Sequence, residues 1–535
     1  MTSPPARSVM DVGDDLTRIS AVELAARIAR SEVSSLEVVD AHIQRIETVN
    51  TRLNAVVFKD YANARRDAIA ADARRSCGEA MPPLHGVPIT VKECIDVTAT
   101  PSTFGLTSRA NILATSDALA VARLRKAGAI VLGKTNVAQL LLYYESDNPV
   151  YGRTNNPWNA MRTAGGSSGG EGAIIAAGGS PLGLGTDIGG SVRIPAAFCG
   201  IASLKPTAGR VDDPGRFSVP IGQRAIVSQI GPLARHVEDV AAALEVVAGP
   251  NGTATPPLGD YRHVDLSRLR IGYYTDDETL GVAPAVARAV TEAAEVLRSQ
   301  GAQVTQWRPP DVPKAVALYF GLLSADGATG FKRMWAGGKR DSRASAMALL
   351  AGLPAPVRAM AVATLKAMGQ PSLSAFVGLF GHTSADAYWS LVEQQLVYQA
   401  RFAEALDREG IDVIVCPPCA LPAYTHGASG VVGTGGGYSI LYNLLGYPAG
   451  VVPFTRVRAS EETTRPRARD LVEKAARDVE NGSTGLPVGV QVVGRPWMEH
   501  EPLAVMASLQ SGARARRDYP TTPPDNTSTP TPEKS

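Results

Sequence analysis

Residues 165–170 read Gly-Gly-Ser-Ser-Gly-Gly, and residues 189–191 read Gly-Gly-Ser. Apolar residues, among them Ile174, Ile175 and Leu184, interleave with the glycines of this part of the chain, whereas flexible linkers lack such apolar content. Glycines embedded among apolar residues indicate that backbone segments approach each other closely inside a fold. Glycines that bracket a serine also expose backbone N–H groups, which are the donors of an oxyanion hole. The stretch is therefore predicted to lie within the fold and to carry chemistry.

A lysine upstream supplies the remaining chemical group. Lys92 follows Val87, Ile89 and Val91 in a strand-like apolar run. Serine is a poor nucleophile at neutral pH, and a neutral lysine can serve as its base only if burial lowers the pKa of the lysine far below its usual value. Serines and a lysine can therefore carry out acyl transfer without histidine or metal. The alternative, which is the commoner case for a single lysine, is a strand end with the charged head in water.

The composition of the chain argues against several classes of protein. Its 535 residues are 44% hydrophobic and 19% charged, which supports a large buried core. The net charge of +2, spread along the chain, argues against a nucleic-acid partner, which needs a concentrated basic patch. Five cysteines are too few for a disulfide framework, and the first residues lack the basic and apolar regions of a signal peptide. We therefore expect a cytoplasmic protein.

The order of the elements along the chain predicts an α/β architecture. Residues 16–80 show apolar residues at helical spacing, and residues 84–135 alternate short β-rich runs with a helical segment near 117–127. Residues 1–15 are expected to be a flexible N-terminus. Residues 514–535 are polar and rich in proline and threonine, which predicts a disordered tail.

The two glycine-serine clusters belong to longer runs that resemble the amidase signature family. Residues 165–173 and 185–195 are similar to the signature itself, and Lys92 lies in a run similar to that family's lysine motif. Residues 442–453 resemble part of the family's C-terminal half. The resemblance implies a single large α/β domain over residues 16–513, with a central twisted mixed β-sheet covered by helices.

The family's catalytic roles carry over to the matching residues of this chain. The resemblance implies that Ser191 forms the acyl-enzyme, that Ser167 relays the proton from a cis-peptide position, and that Lys92 is the general base. The expected oxyanion hole consists of the backbone N–H groups of consecutive residues: Ile188, Gly189, Gly190 and Ser191. Paired glycines suit this role because they let successive N–H groups converge on one oxygen.

Neighbouring residues are expected to support this site. Ser168 would hydrogen-bond Lys92. Asp187 and Arg193 would form a buried ionic scaffold that holds the loop, with bracing of the fold alone as the open alternative. The resemblance implies no metal and no organic cofactor.

Within the family, residues 144–149 and 447–453 resemble the fatty acid amide hydrolase subgroup. The resemblance implies hydrolysis of linear small-molecule amides, in particular N-acyl amides with an apolar acyl chain, by a homodimer. By position, the residues expected to line the acyl pocket are Leu141, Leu142, Tyr144, Thr186, Leu323 and Trp497. An apolar lining is what an acyl chain needs.

Residues 346–380, here called the cap, fall where that subgroup carries a hydrophobic element that contacts membranes. The cap keeps apolar residues such as Leu349 and Phe376, but Pro354 and Arg358 interrupt it, so it is not predicted to span a bilayer. One expectation is reversible peripheral membrane contact through the cap. The other is an internal helical hairpin or a dimer contact.

Other motifs admit competing interpretations. Residues 128–135 match the P-loop pattern of nucleotide-binding proteins, but Ala, Ile, Val and Leu fill its middle, and this strand composition does not curl around phosphates. Residues 165–169 match the nucleophile elbow of α/β-hydrolases, which would make Ser167 the nucleophile and require a later acid and histidine. Cys416 and Cys419 form a lone C-x-x-C motif without matching zinc ligands and are interpreted as structural.

A further alternative stays within the family. The glutaminase subunit of a tRNA-dependent amidotransferase would need a small polar pocket for glutamine, whereas Leu141, Leu142 and Leu323 are apolar. Gln139 also stands where many relatives, amidotransferase subunits included, carry an acidic residue.

Overall fold

The computed structural model of the chain describes residues 15–211, 223–248, 255–335, 337–462 and 464–523. Two terminal predictions therefore lie wholly or partly outside the described residues. These are the flexible N-terminus, up to residue 14, and the last part of the predicted tail, from residue 524.

Helices and strands alternate along most of the described chain. The helices are α1 (Ala21–Ala29), α2 (Ser35–Leu53), α3 (Tyr61–Ser76), α4 (Leu119–Lys126), α5 (Gly169–Ala176), α6 (Arg193–Cys199), α7 (Val237–Val247), α8 (Pro284–Ser299), α9 (Val312–Ser324), α10 (Thr329–Trp335), α11 (Ser342–Ala351), α12 (Ala355–Ala367), α13 (Pro371–Gly378), α14 (Ala385–Glu409), α15 (Gly437–Leu444), α16 (Leu471–Glu480) and α17 (His500–Arg514). The strands are β1 (Val56–Lys59), β2 (Pro88–Lys92), β3 (Ile130–Thr135), β4 (Asp147–Asn148), β5 (Gly152–Arg153), β6 (Leu182–Asp187), β7 (Ala202–Lys205), β8 (Gln229–Ala234), β9 (Arg270–Tyr273), β10 (Gln303–Gln306), β11 (Val413–Cys416), β12 (Ala449–Arg456) and β13 (Pro487–Gly494).

One 11-stranded sheet organises the molecule. Its order is β1-β3-β2-β6-β8-β7-β12-β13-β11-β9-β10, while β4 and β5 form a separate pair. Strand β2 is parallel to β3 and β6, whereas β8, β12 and β13 pair antiparallel with their neighbours. Helices α6, α8 and α17 pack on the central strands β12 and β13. The predicted α/β fold, a central mixed sheet covered by helices, is confirmed.

The long helix α2 shows how local sequence sets an element. Ser34 and Glu37 form a capping box, in which each side chain accepts a hydrogen bond from the other residue's backbone N–H. Apolar residues at helical spacing then bury one face against the core, among them Val39 and Ile43. The helix ends at Asn54, which adopts a left-handed conformation with φ of 49°.

Strands β2 and β6 bring two distant parts of the sequence to one edge of the sheet. They pair in parallel, with Val91 opposite Leu184. Because the carboxyl ends of parallel strands meet at the same edge, Lys92 at the end of β2 lies close to Thr186 and Asp187 at the end of β6.

The P-loop interpretation fails because residues 130–135 form the fully buried strand β3 rather than a loop. A side chain at Gly133 would clash with the backbone oxygen of Phe58, so this glycine permits close pairing of β3 with β1. Lys134, the lysine of the P-loop pattern, donates instead to the carbonyl of Pro101 at 2.6 Å and to Ser102 Oγ at 2.8 Å.

The prediction of a disordered tail is wrong for residues 514–523. Tyr519 is buried, and Asp518 accepts a hydrogen bond from Thr455 Oγ1 at 2.8 Å. Arg18, near the other end of the described chain, donates to Thr522 Oγ1 at 2.6 Å. The polar composition misled because this segment is held by hydrogen bonds and by the buried rings of Tyr519, Pro520 and Pro523 rather than by a run of apolar residues.

Candidate active site

Lys92 is completely buried, so the interpretation as a surface lysine at a strand end is wrong. Its Nζ lies 2.7 Å from Ser167 Oγ, 2.8 Å from Thr186 Oγ1 and 3.3 Å from the carbonyl oxygen of Thr186. The alternation of strand β2 points Lys92 and Thr90 to the same side, away from solvent. The amine therefore reaches the glycine-serine cluster predicted from the sequence.

Ser167 and Ser191 approach the same cavity from the two glycine-serine clusters. The peptide bond between Gly166 and Ser167 is cis, as the resemblance implied. The N–H of Ser168 donates to the carbonyl of Ser191 at 3.2 Å, which ties the two clusters together. Both serine side chains line the main cavity described below. Within the described residues, no hydrogen bond joins Ser167 Oγ to Ser191 Oγ, so the link from Lys92 to Ser167 is formed and the link onward to Ser191 is not.

The predicted oxyanion donors separate into two groups. Gly190, which adopts a φ of 110°, donates its N–H to Asp187 Oδ1 at 2.8 Å. This N–H is therefore committed to the loop, which corrects its predicted role. The N–H groups of Ile188, Gly189 and Ser191 have no hydrogen-bond partner within the described part of the chain. These three donors are available to an oxyanion in the cavity.

Asp187 and Arg193 form the expected buried ion pair, with 3.0 Å between Arg193 Nη2 and Asp187 Oδ1. Burial by itself raises the pKa of Asp187, but the charge and hydrogen bonds of Arg193 outweigh it and hold the pKa well below its usual range. Arg193 also donates to the carbonyl of Ser439 at 2.9 Å and to Gln491 Oε1 at 2.7 Å. The pair therefore fastens the loop of Ser191 to the C-terminal half of the sheet.

The contacts of Ser168 differ from the expectation. Its Oγ lies 3.4 Å from both the backbone nitrogen and the carbonyl oxygen of Thr186. Because Thr186 also contacts Lys92, Ser168 supports the lysine through this threonine. Thr186, predicted only as a pocket residue, thus has a second role that the sequence did not reveal.

Glu171 is a functional neighbour that sequence reasoning missed. It is fully buried in the first turn of α5 and accepts hydrogen bonds from Thr90 Oγ1 at 2.7 Å and Thr135 Oγ1 at 2.8 Å. Burial raises its pKa to about 8, against the opposing effects of the two threonines and of the charge of Lys92. The only signal in the sequence was a charged residue inside a glycine-rich apolar run.

The main cavity is apolar and opens to solvent, and the empty space in it, its mouth included, is about 900 Å³. Of the predicted pocket residues, it is lined by Leu141, Leu142, Thr186 and Leu323. Its further lining comes mostly from helices α9 to α11 and the residues after α13, including Phe320, Phe331, Met347, Ala348, Ala351 and Phe380. Sequence reasoning missed these residues because they lie far from the signature in sequence and come close to it only in the folded protein.

A side cavity adjoins the main cavity at Ser191 and shares Leu141 and Leu142 with it. Tyr144, a predicted pocket residue, lines this side cavity, and its hydroxyl donates to the carbonyl of Gly189 at 2.7 Å. Two cavities therefore meet at Ser191.

Trp497 does not line either cavity, which corrects the prediction. It follows β13 in a turn, with φ of 70°, and its ring lies 4.9 Å from the guanidinium of Arg210. Its backbone N–H donates to Thr207 Oγ1 at 2.9 Å. The turn and the cation–π contact direct the indole away from the site.

Some residues of the cap pack against the cavity wall, and others are exposed at the surface. Phe376 and Phe380 pack around Phe320 with ring centroids 6.1 and 5.1 Å from it. Leu349 and Met360, in contrast, are 66% and 65% exposed. Within the described ranges, no single helix combines the length and the apolar composition that a membrane crossing demands.

The thiols of Cys416 and Cys419 are buried, and each is hydrogen-bonded to a side chain. Gln491 Nε2 donates to Cys416 Sγ at 3.2 Å, and Cys419 Sγ lies 3.1 Å from Tyr424 Oη. Across the part of the chain that the structure describes, no group of three or more His, Cys, Asp or Glu side chains is arranged to hold a metal ion. The contacts agree with the structural interpretation of these cysteines.

Comparisons with known proteins converge on one family. The family model described as Amidase matches residues 37–503. Fatty-acid amide hydrolase 1 of Sus scrofa is 34% identical over 499 residues, which cover 91% of this chain and 84% of that protein. A glutamyl-tRNA(Gln) amidotransferase subunit of Roseiflexus castenholzii is 41% identical over 325 residues, which cover 59% of this chain and 65% of that protein. A solved structure of a fatty acid amide hydrolase matches with a TM-score of 0.77 at 25% identity and covers 93% of this chain and 85% of that chain.

Proposed function

The chain belongs to the amidase family and hydrolyses amides, and from this premise we propose that it cleaves the C–N bond of linear N-acyl amides through an acyl-enzyme on Ser191. The observation that carries the proposal is the 2.7 Å hydrogen bond from buried Lys92 to Ser167, at the wall of an apolar cavity that also exposes Ser191. Ser167, Ser191 and Lys92 then form the catalytic triad.

The proposed cycle moves one proton back and forth along this triad. Ser191 Oγ attacks the amide carbonyl while its proton passes through Ser167 to the neutral amine of Lys92. The N–H groups of Ile188, Gly189 and Ser191 stabilise the oxyanion. The same relay then returns the proton to the leaving nitrogen, and water hydrolyses the acyl-enzyme along the reverse route. Activity falls as the pH drops, because a protonated lysine cannot accept the proton.

The cavity favours an apolar acyl arm over glutamine. Its lining includes Leu141, Leu142, Phe320 and Leu323. A glutamine side chain needs polar partners in such a site, because an unpaired buried amide is costly. The match to an amidotransferase subunit keeps the glutaminase as the second candidate, and esters are expected as further substrates because they form the same oxyanion.

A substrate panel tests the proposal. Fatty acyl, aryl and short acyl amides of one amine are assayed beside glutamine, and a fluorophosphonate is used to label the nucleophile. We expect the fatty acyl amides to have the highest kcat/KM and the label to be on Ser191. Hydrolysis of glutamine, with release of ammonia, and of no other amide in the panel would favour the glutaminase. A label on Ser167 would support the nucleophile elbow instead.

Membrane contact through the cap is a separate part of the proposal. The cap exposes several large apolar side chains on one short segment, namely Leu349, Val357, Met360 and Met368, and such a concentration supports a contact surface where a single exposed side chain does not. In liposome flotation we expect the double variant Leu349→Asp/Met360→Asp to bind less than the wild type. Ile69→Asp, at an exposed apolar position on α3, is the control. Equal flotation of all three proteins contradicts the docking.

A homodimer is also proposed, with the exposed face of α14 as its contact. Trp389, Leu396 and Val397 on this helix are 67%, 60% and 67% exposed. We expect Trp389→Glu/Val397→Glu to sediment as a monomer and the wild type as a dimer. A wild-type monomer at micromolar concentration would refute this part of the proposal.

A further inference from the structure

Arg343, near the start of α11, has three carboxylate partners. Its guanidinium lies 2.9 Å from Glu145, 2.8 Å from Asp147 and 2.7 Å from Asp341, and it stands over the ring of Tyr143 with 4.5 Å to the centroid. The Arg343 side chain is 12% exposed and that of Glu145 is 1% exposed. Three of these four partners, at positions 143, 145 and 147, alternate along one short segment of the chain.

The intervening residues of that segment contact the catalytic loops. Tyr144 donates to the carbonyl of Gly189 at 2.7 Å, beside the oxyanion donors. Ser146 Oγ donates to the carbonyl of Ser167 at 3.1 Å and accepts from the N–H of Gly169 at 2.7 Å. A side chain at Gly166 would come within 2.5 Å of the backbone of this segment, so the contact is close along its length. The segment 143–147 thus faces Arg343 with odd-numbered residues and the serine loops with even-numbered ones.

Helix α11 carries both Arg343 and residues that line the main cavity. Asp341 caps the helix by accepting from the N–H of Arg343 at 2.8 Å. One to two turns later, Met347, Ala348 and Ala351 line the main cavity. Because a short helix moves as a rigid body, a shift of these residues against a bound chain also shifts Arg343.

Glu145 also connects Arg343 to the loop of Gly427 and Ser429. It accepts hydrogen bonds from the N–H groups of Gly427 and Ser429 and, at 2.7 Å, from Ser429 Oγ. Ser429 lines the side cavity, as does Arg343 itself. The guanidinium of Arg343 therefore links three parts of the site: helix α11, the segment 143–147, and, through Glu145, the loop of Gly427 and Ser429 at the side cavity.

We propose that Arg343 is a positioning residue, which couples the fit of the substrate's acyl arm against α11 to the placement of Ser167 and Gly189 through the two-faced segment 143–147. The inference rests on the proposed function, because it assumes that the acyl arm occupies the main cavity. It assigns to a long arm an effect on the chemical step and not on binding alone. A long acyl arm contacts α11 and fixes the position of this helix. The ion pairs of Arg343 then fix the segment 143–147, and through it the loops that carry Ser167 and Gly189 adopt the reactive arrangement.

Arg343→Lys tests the coupling, because an ammonium retains the charge but cannot reach three carboxylates at once. Asp341→Asn is the milder variant, since asparagine also caps helices and carboxylates remain in surplus around Arg343. Arg333→Gln, at an exposed position on α10, controls for the loss of one cationic side chain. Thermal unfolding shows which variants keep the fold. If Arg343→Lys does not fold, Asp341→Asn decides: we expect it to lose part of the long-arm advantage because it removes one of the three carboxylate partners of Arg343, and an unchanged advantage overturns the coupling.

Two measurements compare a long and a short acyl arm on the same leaving amine. The first is kcat and KM for the two amides, and the second is the rate at which a long-alkyl and a short-alkyl fluorophosphonate label Ser191. We expect the wild type and Arg333→Gln to show a higher kcat and faster labelling with the long arm. In Arg343→Lys the ratio of kcat for the long arm to kcat for the short arm should shrink by about tenfold or more.

The outcomes separate the two proposals. If both arms lose rate by the same factor, or if only KM for the long arm rises, Arg343 merely holds the structure and the coupling is overturned. If the wild type labels faster with the long alkyl chain and Arg343→Lys does not, the coupling holds. That result stands even if the panel of amides reveals no hydrolysis and the proposed substrate class fails.

Discussion

Lys92 is buried, with its amine among hydroxyl groups. Ser167 and Thr186 both hydrogen-bond its Nζ, and Glu171 stands near enough for the charge of the lysine to affect the pKa of its carboxyl. In the proposed triad, nucleophile, relay and base act as a unit, so removal of one member costs far more than the loss of a single hydrogen bond. Single substitutions at these positions are therefore expected to have large effects on rate.

Ser191→Ala is expected to abolish turnover, because no other hydroxyl is proposed to form the acyl-enzyme. Lys92→Ala should lower kcat/KM on the order of a thousandfold or more, since the relay then lacks its base. Both are measured with the fatty acyl amide of the panel. Ser203→Ala is the control, because Ser203 Oγ on β7 has no hydrogen-bond partner among the described residues. Near-normal activity of Lys92→Ala would contradict the assigned base.

Glu171 predicts a dependence of stability on pH. Its pKa is raised from 4.5 to about 8 in the folded protein, chiefly by burial. Between those values the folded state holds a proton that the unfolded state releases, so the free energy of unfolding falls as the pH rises through this window. The variant Glu171→Gln lacks this titration and is expected to gain stability relative to the wild type with rising pH.

Urea denaturation of both proteins at a series of pH values measures this difference. The wild type should lose roughly a few kcal/mol relative to Glu171→Gln across the window. Glu79→Gln, at an exposed position, controls for the loss of one carboxylate. A difference that stays constant with pH would show that Glu171 is ionised in the folded protein.

At the scale of elements, the loop between β6 and α6 decides the geometry of the site. Asp187 ends β6 and Arg193 begins α6, and their ion pair closes the loop that carries Ser191. Asp187 also accepts from the N–H groups of Gly190 and Val192 at 2.8 and 3.1 Å. The pair therefore shapes the backbone around the oxyanion donors in addition to bracing the fold.

Arg193→Gln should destabilise the protein strongly, because it leaves Asp187 buried without its cation. Breaking a buried pair in this way costs about 3–5 kcal/mol. The change is measured as the free energy of unfolding in urea. Arg262→Gln is the matched control, since its pair with Asp260 has an arginine side chain that is 65% exposed and little change is expected. Similar small losses in both variants would mean that water reaches the Asp187 carboxylate.

At the scale of the whole molecule, the sheet gathers segments from the full length of the chain. The strands beside Lys92 come from its first half, while β12 and β13 come from its end. Residues after α17 complete this assembly, because Asp518 bonds Thr455 on β12 and Thr522 bonds Arg18. Both ends of the described chain thus fasten to one body.

Deletion of residues 515–535 is expected to lower the melting temperature, because it removes Tyr519 from a buried position and breaks the contacts of Asp518 and Thr522. Deletion of residues 524–535 alone is the control and removes none of these contacts. Both truncated proteins and the full chain are compared by thermal unfolding. Equal melting temperatures for the two truncations would show that the segment 515–523 adds nothing to stability.

The local parts of the site were predictable from the sequence alone. The glycine-serine clusters and the run that ends at Lys92 are contiguous, and contiguous backbone determines its own turns, its N–H directions and its strand alternation. The α/β fold therefore followed from short stretches, whereas the burial of Asp187 with Arg193 and several of the apolar pocket residues were implied by the family resemblance. The resemblance to the amidase signature family, which depends on the same stretches, was confirmed.

The rest was decided by tertiary structure. The positions of Trp497 and Tyr519 and the ion pairs of Arg343 with Glu145 and Asp147 all depend on contacts between residues far apart in sequence. The cavity wall built by helices α9 to α11 together with Phe376 and Phe380 arises in the same way. No short pattern encodes such contacts, because they form only when the sheet and helices have packed and each polar group has found a partner at its final distance.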